Sequence, residues 1–134
     1  MATQKKPRPT LLRRAPEAAA LAPCAPTRPF AARPPLEGAQ AASLAALFSV
    51  LANDTRLRLL HAMVRAGERC VSDMAGDVGL SVQAVSNQLA RLSDQRIVAS
   101  RRDGTRLYYR IVDPCVITLL DRGLCLIEET TRGE

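Results

Sequence analysis

The sequence has no tryptophan, and its only aromatic residues are Phe30, Phe48, Tyr108 and Tyr109. A core built from it must be aliphatic, mostly leucine, valine and alanine. No apolar run approaches the roughly 18–20 residues that a membrane-spanning helix needs. A secretion signal is not expected either, because Pro16, Glu17 and Pro23 interrupt the apolar stretch Ala15 to Ala25. The expected compartment is the cytoplasm, where disulfides are rare. There is one histidine, His61, with no G-x-S-x-G and no phosphate-binding loop, so an enzyme is not expected. The cysteines at 24, 70, 115 and 125 contain no C-x-x-C pair, which excludes a locally encoded zinc ribbon or thioredoxin-type motif.

What is present is unevenly distributed. The 134 residues carry a net charge of +6. Residues 1–36 alone hold Lys5, Lys6, Arg8, Arg13, Arg14, Arg28 and Arg33 against Glu17, while 37–134 is neutral. Eight of the nine prolines lie in 1–36, and all seven glycines lie after it. The chain therefore divides into a basic, proline-rich arm, 1–36, and a body, 37–134, long enough to bury a core.

The body reads mainly as helix. Ala41, Leu44, Ala45, Phe48 and Leu51 fall at helical spacing within 38–52. Asp54 or Thr55 can cap a second helix, 55–66, with Leu57, Leu60 and Val64 on one face and Gly67 as its stop. Ser72 or Asp73 starts a short third helix ending near Gly79, and Ser81 caps a fourth, Val82 to Asp94. In the fourth, Val85, Leu89 and Leu92 face inward, and Gln83, Ser86, Asn87, Gln88 and Arg91 face outward. Strands Ile97 to Arg102 and Arg106 to Val112 flank Asp103-Gly104, a type I′ hairpin signal. Asp113-Pro114 opens a last helix running to about Glu129. The expected fold is a mainly α winged helix-turn-helix with an extra helix at each end.

Two helices joined by the Gly79-Leu80 turn form the helix-turn-helix, and the second would enter the major groove. Ser81, Gln83, Ser86, Asn87, Gln88 and Arg91 are then the candidate DNA-contacting residues of that helix. A polar helix face alone can equally be a solvated surface. The hairpin adds weight, because 81–110 holds six arginines against Asp94 and Asp103, a net +4 inside a neutral body. Arg101, Arg102 and Arg106 cluster toward its tip, placed to straddle a phosphate backbone.

Three segments resemble the ArsR/SmtB family of metal-responsive repressors. They are Leu51-Ala52-Asn53-Asp54-Thr55-Arg56-Leu57-Arg58-Leu59-Leu60, the stretch from Leu80 to Leu92 (LSVQAVSNQLARL), and that from Gly104 to Ile111 (GTRLYYRI). The resemblance covers roughly 40–129. It implies a homodimer joined by the first and last helices, bound to double-stranded operator DNA until a metal binds. Gln88 departs from the many relatives that carry histidine there, which leaves the base preference open.

The resemblance also frames the cysteines. The family's metal box reads E-L-C-V-C-D-L; here it is Glu68-Arg69-Cys70-Val71-Ser72-Asp73-Met74, with Ser72 in place of the second cysteine. Some relatives complete that site from an N-terminal arm, a role open to Cys24, reaching the other protomer. On the last helix, Asp113 and Glu129 match a zinc site of relatives, Cys115 replaces its first histidine, and Leu126 occupies the second position beside Cys125. Ten residues of helix set Cys115 and Cys125 about 15 Å apart and about 80° apart in direction, so one helix cannot bring both to one ion. An antiparallel pair crossing near Leu120 would bring Cys115 of one chain close to Cys125 of its partner. Both can equally pack in a dimer interface, and Cys70 can be a buried small hydrophobe. Thiolates select soft metals. Two opposed thiolates suit Hg(II), the expected effector; three suit As(III), Cd(II) or Pb(II). A thiol-redox switch on the same scaffold, and a dimeric interaction module without sequence-specific DNA binding, are the competing functions.

Overall fold

The computed structural model describes residues 28–133. Most of the proposed arm, including Cys24, lies outside the described residues. Five helices and three short strands follow a brief 3-10 turn at Phe30–Ala32: α1 (Gly38–Leu51), α2 (Asp54–Ala66), β1 (Arg69–Cys70), α3 (Val71–Val78), α4 (Val82–Asp94), β2 (Val98–Asp103), β3 (Arg106–Ile111) and α5 (Pro114–Arg132).

Local chemistry fixes the boundaries. Glu37 and Gln40 form a reciprocal capping box at the start of α1. Asn53, rather than Asp54 or Thr55, caps α2, its side-chain oxygen accepting from the Arg56 amide at 3.0 Å. Gly79 ends α3 in the left-handed region, at φ 70° and ψ 31°, where a Cβ would be strained. The Leu80 amide returns to the Ala75 carbonyl, and the next residue, Ser81, caps α4 by accepting from the Ala84 amide. This tight reversal sets α3 and α4 at the angle of a helix-turn-helix. Asp113 caps α5 through the Cys115 amide, with Pro114 at the first helical position.

The sheet order is β1-β3-β2, antiparallel throughout, so β3 is central. β1, two residues long, is too short to show any period in the sequence. Asp103 pairs with Arg106, so the hairpin turns on Gly104 and Thr105 rather than on Asp103-Gly104. Among the described residues of that turn only Gly104 has positive φ, at 63°, which is the II′ pattern and not the expected I′.

One aliphatic core holds the elements together. It joins Leu59, Leu60 and Met63 of α2, Val71 and Met74 of α3, Val85, Leu89 and Leu92 of α4, Val98 of β2, Ile111 of β3 and Val116 of α5. Val85, Leu89 and Leu92, the expected inner face of α4, are all fully buried. The α2 face is rotated from expectation: Arg56, Leu59, Leu60 and Met63 point inward, while Leu57 is exposed. Of the apolar positions expected to be buried on α1, only Leu51 is buried; Leu44 and Phe48 face outward, as do Leu124, Leu126 and Ile127 of α5.

Candidate DNA interface and thiol sites

The outer face of α4 begins at its capped N-terminus. Ser81 is exposed, its oxygen engaged by the Ala84 amide while its hydroxyl proton stays available. Gln83 and Asn87, one turn apart and both exposed, are joined by a 3.0 Å hydrogen bond from the Gln83 amide nitrogen to the Asn87 carbonyl oxygen. That bond aligns the two amides and leaves the Gln83 oxygen and the Asn87 nitrogen to face a ligand. Arg91 is exposed and Ser86 is half-buried.

Gln88 does not belong to that face. It is half-buried, and its side-chain oxygen accepts from Arg56 Nη1 at 2.7 Å. Its position on the helix turns it toward α2, so the expectation of an outward Gln88 is corrected. Arg56 itself is 7% exposed and has no carboxylate partner among its hydrogen bonds. No local sequence pattern signals this contact, because it joins residues 32 positions apart.

The wing divides its arginines. Arg102 and Arg106 are exposed near the hairpin turn. Arg101 is not a free cation at the tip: its Nε lies 2.9 Å from both carboxylate oxygens of Glu68, and its guanidinium stacks on Tyr108, 4.5 Å from the ring centroid. The hydrogen bonds it donates to the Glu68 carboxylate raise its pKa further above the ordinary arginine value. The phenol of Tyr108 likewise raises the pKa of Arg106. Tyr108 is thus flanked by the two arginines, and across the sheet it pairs with Cys70.

Cys70 sits where β1 passes into α3. It is buried, and its sulfur lies 3.1 Å from the Ser72 hydroxyl. Burial pushes its pKa up, but hydrogen bonds from the Ser72 hydroxyl and the backbone amides of Ser72 and Asp73 outweigh that, and the thiol ends below its ordinary value. Those amides are the unpaired donors at the start of α3, so the helix end favours the thiolate. Cys125 is half-buried, with its thiol directed to Glu129 Oε1 at 3.6 Å. Cys115 is exposed in the first turn of α5, and its sulfur is not among the free thiols. No three His, Cys, Asp or Glu side chains converge as a metal cage among the described residues. A third side-chain ligand for an ion held by these thiols would therefore come from a second copy or from outside 28–133. Among the described residues no helix is long and apolar enough to cross a membrane.

Known proteins match this arrangement. The model of the bacterial regulatory protein arsR family matches residues 53–100. A probable mercury resistance operon repressor from Streptomyces lividans is 40% identical over 82 residues, covering 61% of this chain and 65% of that protein. The chain spans 60% and 73% of the lengths of two other curated relatives. The crystal structure of the AntR antimony-specific transcriptional repressor superposes with a TM-score of 0.69 at 52% identity, covering 81% of this chain and 99% of that one. A homodimeric winged helix-turn-helix DNA-binding domain from Mycobacterium bovis superposes with a TM-score of 0.65 at 30% identity, covering 78% of this chain and 96% of the other.

Proposed function

Because the chain belongs to the ArsR family of bacterial regulatory proteins, we propose that it is a metal-responsive transcriptional repressor that binds operator DNA as a homodimer and releases it when a thiophilic ion occupies its cysteines. The observation that carries the DNA-binding half is the exposed polar row of Ser81, Gln83, Asn87 and Arg91 beside the exposed Arg102 and Arg106 of the wing. Amides and hydroxyls at the front of α4 read base edges, Ser86 adds a contact at the margin, and the wing arginines hold phosphates. The outward apolar faces of α1 and α5 support dimerisation. An open apolar groove between α2 and α5, lined by Leu57, Val64, Ile117, Leu120, Leu124 and Ile127, continues that surface. Likeness to the homodimeric mycobacterial domain supports the same state.

The sensing half rests on Cys70. Its thiol ionises more easily than an ordinary one and lies at the junction of wing and helix-turn-helix. Cys24, outside the described residues, is the candidate second ligand from the arm. Cys125, with Cys115 once a thiol reductant has opened the disulfide that holds its sulfur, forms the candidate second set across two copies of α5. Sulfur donors fit a soft ion and disfavour Mg(II) or Mn(II). Hg(II) is the preferred effector, since each set offers two thiols, and likeness to the mercury resistance operon repressor supports it. A trivalent ion, Sb(III) or As(III), is the second reading, favoured by 52% identity to the antimony-specific repressor; it calls for three thiolates. The ion acts by binding the DNA-released conformation better than the DNA-bound one, and shifts the population only by that difference.

The test is release of the reduced protein from its own upstream DNA, titrated with Hg(II), Sb(III), As(III), Cd(II), Pb(II), Zn(II) and peroxide. Release by a thiophilic ion, and its loss in Cys70→Ser, support the reading. Full release retained in Cys70→Ser and in Cys125→Ser sinks the sensor assignment. Release by peroxide alone makes the protein a redox switch. Binding with no sequence preference makes it a plain interaction module.

A further inference from the structure

Arg56 is the one buried charged residue among those described, and it is held entirely by neutral oxygens. A buried cation without a counter-ion costs free energy unless its donors are used well. Here they are. The last four carbonyls of a helix lack intrahelical partners. At the end of α1 the Phe48 carbonyl accepts from the Ala52 amide, and the Leu51 carbonyl accepts from Asn53. The Val50 carbonyl accepts from Arg56 Nε at 2.5 Å, and the Ser49 carbonyl lies 3.5 Å from Nη2. One guanidinium therefore closes the end of α1, where the helix dipole favours a cation. Its remaining nitrogen, Nη1, reaches Gln88 in the middle of α4.

We propose that Arg56 and Gln88 form a strut that fixes the attitude of the recognition helix relative to α1, and that Gln88 is a positioning residue for operator binding rather than a base reader. This rests on the reading that α4 enters operator DNA. Three observations meet in it: the buried unpaired cation, the completed carbonyl accounting of α1, and the inward turn of a polar residue on an otherwise outward-facing row. The planar fork of arginine is what spans both helices at once; lysine, a single point of donation, would hold one or the other.

The strut and a base contact leave different signatures. Gln88→Met keeps the length and removes the acceptor. If Gln88 positions, this variant weakens binding about tenfold on the operator and on every single-base variant of it alike, so the preference profile is unchanged. Arg56→Lys does the same, and the double variant is no weaker than either single one. Relaxed discrimination at one base pair, with affinity elsewhere retained, overturns the proposal and makes Gln88 a reader. A second measurement needs no DNA: urea unfolding of the same four proteins should show strong coupling between positions 56 and 88, and additive effects overturn the strut. If the parent protein binds DNA without preference, the repressor reading fails on its own, and the unfolding cycle still decides whether the strut exists.

Discussion

Arg101 of β2 and Glu68, at the corner between α2 and β1, form a two-oxygen ion pair that ties the wing to the helical body. Their side chains are 19% and 8% exposed, so the pair is poorly screened. Removing either partner leaves the other charge partly stranded. Glu68→Ala and Arg101→Ala are each expected to lower unfolding stability by about 1–2 kcal/mol, below the cost for a fully buried pair because Arg101 retains some solvent. The double variant should lose little more than one single variant in urea melts. Fully additive losses would show that the pair contributes nothing as a unit.

Cys70 gives the protein a pH signature. Its folded pKa is lowered from the ordinary 9.0, chiefly against the opposing effect of burial, by the hydrogen bonds around Ser72. Between the folded value and 9.0 the unfolded chain holds more protons, so stability from this group rises with pH across that window. It is complete above 9.0 and is lost as pH falls through the folded value. Site-resolved alkylation of Cys70 should therefore show its inflection below that of a free thiol. Ser72→Ala should move the inflection upward; an unmoved profile would mean that the hydroxyl does not hold the thiolate.

The two kinds of wing arginine should separate by salt dependence. Arg102 is exposed and is expected to act as a phosphate contact, so Arg102→Ala should reduce the slope of log affinity against log salt by about one unit per protomer. Arg101→Ala should weaken binding by loosening the wing, with a much smaller change in slope. Deleting residues 1–20 should lower both affinity and slope while preserving operator preference, as expected of a non-specific basic tail. Loss of preference on deletion would show that the arm reads sequence as well.

Leu124, 60% exposed, and Ile127, 63% exposed, stand on the outer side of α5. If this surface joins two copies, Leu124→Glu places a carboxylate in an apolar seam. Sedimentation should then report a monomer with unchanged helical content, and operator affinity should fall about a hundredfold as the two half-sites are no longer bound together. A dimer that survives this substitution would place the interface elsewhere.

Much of this architecture could be read directly from the chain, where the signals are local. Ser81 before a periodic apolar face, and Asp113-Pro114 before another, name two helix starts because capping is decided within three residues. The three inward positions of α4 follow from one period. Legibility ends where contacts are remote. Nothing near Gln88 announces Arg56, and nothing near Arg101 announces Glu68, which lies 33 positions away. Two-residue β1 offers no alternation to detect. The α2 face is ambiguous in the sequence because Leu57 and Leu60 share a helical period with Val64 just as Leu59 and Leu60 do with Arg56 and Met63; Leu60 belongs to both sets, and tertiary packing leaves Leu57 outside. The apolar side of α1 reads as core in the sequence, yet one chain alone does not cover it.

The central place of β3 also bears on how these molecules behave in a crowded solution. With β3 paired on both sides, the sheet presents only its two outer strands to other chains. One is β1, two residues long, which offers too few amides and carbonyls to seed a further strand. The other is β2, whose outward Arg102 and Asp103 place charges along the rim. A wing of this build offers little backbone to strand-to-strand stacking, and concentrated protein is expected to resist wing-to-wing aggregation.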